Sequence, residues 1–149
     1  MRSLCSLSLA ALLLAARIVH AGSGAEAGAT LPPGWTPVAA SALHGNFRHA
    51  GHQDITMLAR NGAAYGVLLL PGDASGGNAS VVRTFGAGPA NPPQLSLVHP
   101  GSYRPACHDG GYCAAVDIAT DAIGLCHGEA SCEIIYFKDN TFHNLTTTD

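Results

Sequence analysis

Two stretches of identical spacing constrain this chain more than any other feature. They are "CHDGGYC", beginning at Cys107, and "CHGEASC", beginning at Cys126, each of the form Cys-His-x4-Cys. Two cysteines and two histidines are the donors that tetrahedral zinc takes. However, adjacent Cys-His differs from the usual finger spacing, because neighbouring side chains in a strand diverge. Which chemistry applies depends on whether the chain meets an oxidising compartment.

The first residues answer that. Arg2 gives a positive start, Leu4 to Ala16 is almost wholly apolar, and Val19-His20-Ala21 puts small residues at the −3 and −1 positions of a cleavage site. The apolar run falls short of the roughly 20 residues that span a bilayer. Nothing around Cys5 forms a lipidation box. Residues 1–21 therefore read as a signal peptide rather than an anchor, and the mature domain is expected in the periplasm or outside the cell. Cys5 leaves with the signal, and an even set remains: Cys107, Cys113, Cys126 and Cys132. Thiols exported in even number are expected to oxidise. Four cysteines allow three pairings. We expect Cys107–Cys113, which encloses the turn-permitting Gly110-Gly111, and Cys126–Cys132, which flanks a hairpin tip.

Removal of 21 of the 149 residues leaves 128, the size of one domain. The signal carries two of the seven basic residues and none of the ten acids, so the net charge moves from −3 to −5. That balance argues against nucleic acid and anionic membrane as partners. Residues 22–34, "GSGAEAGATLPPG", read as a flexible leader, with Trp35 as the first residue able to dock, so the domain is placed at 35–149.

Within it the signals are those of short strands. "DITMLAR" and "AAYGVLLL" flank Asn61-Gly62, the pairing that favours a type I′ hairpin turn. Strands are expected near 54–60 and 63–70, with Leu68-Leu69-Leu70 buried on both faces. "VVRTF", "QLSLV", "AVDIAT", "AIGL", "EIIYF" and "FHNLT" read as further strands between turns rich in Gly, Pro, Asn and Asp, and His99-Pro100-Gly101 reads as a turn. A short helix is expected near Val38–Leu43. The fold expected is a single mainly β, antiparallel domain, sandwich-like or a curved sheet, stapled by disulfides.

One loop resembles a known pattern. "GNFRHAGHQDITML" is similar to the acidic loop and following strand of FG-GAP/VCBS-type repeats, and the tail from "LVHPGSYRPACHDGGYC" onward resembles small exported bacterial proteins that carry one such loop. The resemblance implies an exported β-domain and, in intact loops, calcium held by oxygens at alternating positions. Matched by position, Asn46 stands at the first acid, Arg48 at the second ligand, Ala50 at the third, Gly51 at the turn and Asp54 at the final acid. A cation at Arg48 repels calcium and Ala50 offers no ligand. The loop at Asn46, Gly51 and Asp54 is therefore expected to hold no metal, with Asp54 accepting backbone N–H bonds.

Other chemistry is thin. His44, His49 and His52 cluster near the loop, a set that suits zinc or copper only if the imidazoles converge. Ser131, His127 and Glu129 lie close in sequence without the elbow of a hydrolase. "GDASGGN" lacks the Lys-Ser/Thr ending of a phosphate loop. In a bacterial exported protein, which the resemblance implies, the sequons at Asn78 and Asn144 would be idle. No catalytic residue, metal or cofactor is expected. The reading is an exported, non-enzymatic β-domain that binds a protein or an envelope component. The alternatives are a metal-dependent protein, possibly a hydrolase, using the histidines or the Cys-His pairs, and a purely structural envelope module.

Overall fold

Eleven strands and no helix make up the described part of the computed structural model, which covers residues 30–72, 77–86, 92–107, 113–128 and 132–147. The first sheet contains β1 (Thr36–Pro37), β2 (Leu43–Gly45), β3 (Asp54–Asn61), β4 (Ala64–Leu70) and β5 (Ser80–Phe85). Both β1 and β2 pair with β3, which pairs in turn with β4, and β4 with β5. The second sheet runs β11 (Thr141–Thr147), β10 (Cys132–Lys138), β9 (Ala122–Cys126), β6 (Gln94–Val98). A ribbon of β7 (Gly101–Tyr103) and β8 (Val116–Ile118) completes the set, and every pairing is antiparallel.

The two sheets face one another as a sandwich because strand alternation gives each an apolar inner face. Leu58, Val67 and Leu69 from the first meet Ile123, Leu125 and Ile135 from the second, and Phe47, 1% exposed, fills the space between them. Each such side chain contributes roughly 1.5–3 kcal/mol on burial. The outer faces are covered as well. Leu31 and Trp35 lie over Ile55, Ala59, Leu68 and Leu70 of the first sheet. The β7–β8 ribbon brings Tyr103, Val116 and Ile118 over Ala122, Ile134 and Leu145 of the second. This double cover explains the continuous burial of Val67 to Leu70 in β4 and of Ala122 to Leu125 in β9. A strand buried on both faces has no reason to alternate.

The chain is anchored as far back as Thr30, whose carbonyl accepts the Ala79 N–H at 3.1 Å. Trp35 lies against Gly66, where a Cβ would stand 2.6 Å from its ring. That glycine is present because the indole needs the space.

Two local expectations are corrected. Asn61 does not sit in the β3–β4 turn. It closes the strand, paired with Ala64, and the two-residue loop is Gly62-Ala63 with positive φ at Gly62 only. This is the glycine-first pattern of a type II′ turn rather than type I′. Positive φ at both central residues occurs instead at Asp139 (50°) and Asn140 (60°), in the β10–β11 turn. The second correction concerns Val38–Leu43, which is not helical. The Val38 N–H donates to the Leu58 carbonyl (2.9 Å), and the Ser41 hydroxyl accepts the Leu58 N–H (3.0 Å) and donates to the Val38 carbonyl (2.7 Å). The neighbouring β3 backbone is thereby satisfied, so a turn at Ala39-Ala40, with Ala40 at φ 57°, between β1 and β2 competes successfully with the helix.

Candidate functional site

The loop from Asn46 to Asp54 is built round an internal ion pair. Asp54, fully buried at the start of β3, accepts Arg48 Nη2 on Oδ1 at 2.7 Å and Arg48 Nε on Oδ2 at 3.1 Å. Backbone N–H groups complete its shell, Gly72 at 3.1 Å on Oδ1 and Arg48 at 3.3 Å on Oδ2. A carboxylate with no water contact needs a positive partner and filled lone pairs. The Arg48 guanidinium supplies that charge from within the chain. Gly51, at φ 82°, lets the loop reverse.

Asn46 turns away from Asp54. Its backbone N–H donates to Asp121 Oδ2 at 2.8 Å, and its side-chain amide reaches the same oxygen at 3.4 Å. Asp121 Oδ1 lies 3.5 Å from Nδ1 of His99, an exposed imidazole. Thr120 donates from Oγ1 to the Phe47 carbonyl. The β8–β9 connection thus holds the loop by its backbone. Asn46 and Asp54, read together from the sequence as a pair of ligand positions, serve two different acceptor systems.

The histidines do not form one set. His49 and His52 stand edge to face with centroids 6.3 Å apart, and His49 packs against Phe137. His44 lies exposed on β2. Among the described residues no three His, Cys, Asp or Glu side chains are grouped to hold a metal ion. His127 contacts Phe85. Its sequence neighbours Glu129 and Ser131, like His108 and Gly110-Gly111, lie outside the described residues.

The cysteines are joined as their spacing implies, Cys107 to Cys113 and Cys126 to Cys132. Cys126 and Cys132 are also register partners in the β9–β10 ladder, with Cα atoms 4.1 Å apart. That separation matches a directly opposed antiparallel pair, so the bridge spans a distance the sheet has already set.

The cavity lies on the side of the sandwich where β2 approaches β6. It has a volume of about 510 Å³, with Val38 to Ser41, Leu43 and Leu58 on one wall and Pro92 to Leu95 on the other. No charged side chain lines it. The Ser41 hydroxyl is engaged by the backbone, which leaves Gln94 as the polar side chain at the rim. β6 pairs with β9 on one side and has no second strand partner among the described residues. The sequence identified β6 as a strand but not the wall opposite, because the turn at Ala39-Ala40 exists only once β3 is beside it.

No protein-family model matches the chain, nor does any curated protein or solved structure.

Proposed function

We propose that this chain is an exported, non-enzymatic binding domain, held by its disulfides, that takes a protein partner into the groove between the Val38–Leu43 segment and β6. The observation that carries the reading is the groove. Its volume is about 510 Å³, and its side chains are uncharged, mostly Ala, Val, Leu and Pro with Ser41 and Gln94, so a charged group entering it would find no partner. Two disulfides suit an oxidising compartment. No helix among the described residues is long and apolar enough to cross a membrane.

Affinity capture tests it, with the oxidised domain as bait in an envelope extract. The expected result is a stoichiometric protein partner retained by the natural chain and lost when both rims of the groove are charged by Ala39→Glu and Gln94→Lys. Both positions are solvent-exposed, so the fold is expected to survive. A partner retained equally by the variant places binding elsewhere, and failure to retain any partner rejects the reading.

A further inference from the structure

His49-Ala50-Gly51-His52 is a tight turn with an imidazole at each end. The His52 N–H donates to the His49 carbonyl at 3.3 Å, and Gly51, third in the turn, has the positive φ (82°) that a type II turn requires there. The turn is fixed on both flanks. Phe47 is buried in the core, and Arg48 forks onto Asp54, which opens β3. The two histidines are exposed, and their rings stand edge to face with centroids 6.3 Å apart. His49 also rests edge-on against Phe137 of β10, centroids 5.7 Å apart, which restrains its ring at the end of the second sheet. Among the described residues neither imidazole takes part in a hydrogen bond.

We infer that His49 and His52 form a two-imidazole site for a divalent late transition-metal ion, with copper(II) held most tightly and water filling the remaining positions. The site does not involve the groove. Distance permits it. A ligating ring nitrogen lies about 2.0–2.1 Å from the ion and about 1.2 Å from its ring centre, so two imidazoles on one ion have centroids up to roughly 6.5 Å apart. The observed 6.3 Å falls inside that limit, and rotation of the exposed side chains shortens it. Donor type selects the ion. Imidazole nitrogen suits copper, nickel and zinc, with copper(II) first in the divalent series, whereas calcium and magnesium take oxygen. Charge does not oppose it, because the Arg48 guanidinium is paired with Asp54 at 2.7 Å and the pair carries no net charge. Packing against Phe137 already restricts one ring, which reduces the entropy lost on chelation. No third His, Cys, Asp or Glu among the described residues joins the pair, so the ion sits in an open, exchangeable site rather than a closed structural one.

The test is titration of the purified oxidised protein with copper(II), supplied as its glycine complex and followed by electron paramagnetic resonance. One tightly bound equivalent is expected, with hyperfine coupling to two imidazole nitrogens. His49→Ala and His52→Ala are each expected to weaken it by about tenfold or more, since even outer-shell partners of a metal ligand are worth about 10–100-fold in affinity. Both positions are exposed, so the unfolding midpoint of each variant without metal is expected to stay near that of the natural chain, which separates loss of a ligand from loss of the fold. His44→Ala, on the exposed part of β2, is expected to leave the affinity unchanged. Nickel and zinc are expected to bind more weakly, and calcium and magnesium not at all. In nuclear magnetic resonance spectra the bound copper is expected to broaden the amide signals of residues 49–52 before those of the β3–β4 turn. Absence of a saturable equivalent, coupling to a single nitrogen, equal affinity in either loop variant, or loss of binding on His44→Ala would each overturn the inference.

Discussion

Replacing Arg48 by alanine removes the cation that faces the Asp54 carboxylate, which water does not reach. Asp54 then retains two backbone donors, Gly72 N and Arg48 N, the second at a long 3.3 Å. Breaking a buried ion pair from one side costs about 3–5 kcal/mol, because the remaining charge stays desolvated. Arg48 is 25% exposed, so water can enter part of its place, and the expected loss is about 3 kcal/mol, the lower end of that range. The assay is urea unfolding of the oxidised protein, read as a shift in midpoint at constant slope. A double-mutant cycle with Asp54→Asn separates the pair from the loop, and a coupling of about 2 kcal/mol or more is expected. Arg83–Glu133 serves as the internal standard. There the arginine is 42% exposed, and coupling of about 0–1 kcal/mol is expected. Equal couplings, or a loss below about 1 kcal/mol for Arg48→Ala, would mean that the backbone donors alone satisfy Asp54 and that the account of the loop is wrong. Because the Arg48 guanidinium already pairs with Asp54, millimolar calcium is expected to leave the unfolding midpoint of the natural chain unchanged.

Other consequences can be measured separately. Ser41→Ala leaves the buried Leu58 N–H without its acceptor and is expected to cost about 1–3 kcal/mol in denaturant unfolding. Gly66→Ala pushes a Cβ into the Trp35 ring, so a loss of about 1–3 kcal/mol is expected, together with a red-shifted emission from the chain's one tryptophan as the indole lifts toward water. Replacing Cys126 and Cys132 together by serine reopens a loop with a sequence separation of 6 and is expected to cost about 2 kcal/mol on the chain-entropy estimate, without loss of the β signal in circular dichroism.

Much of the strand layout was legible because it is local. β6 was read at its observed bounds, and β3, β4, β10 and β11 within a residue or two, since alternation and turn residues act over a few positions. Both disulfide pairs are the ones favoured among three possible pairings, on the turn-permitting Gly110-Gly111 and on the hairpin loop between Cys126 and Cys132. The misreadings arose where a distant element decides the outcome. Val38–Leu43 has helical composition, but Leu58 needs partners for its N–H and carbonyl, and Ser41 and Val38 provide them. Asn61-Gly62 has the right residues for a turn, yet pairing with Ala64 shifts the loop by one. β7 was not read as a strand, and its first residue, Gly101, was placed in a turn, because its strand character depends on β8, whose register partners begin only at Val116. The candidate site was less legible than the fold. A groove between the Val38–Leu43 segment and Pro92–Leu95 belongs to neither segment alone and exists only once the two sheets have packed.

The central proposal is that the domain holds a protein partner in the groove between the Val38–Leu43 segment and β6. Hydrogen exchange on the complex with the captured partner tests it most directly. The account predicts slowed exchange at Gln94–Val98 and in the facing Val38–Leu43 segment, with β5 and the 46–53 loop unaltered. Protection at β5 or at that loop, with β6 exchanging as in the free protein, would contradict it.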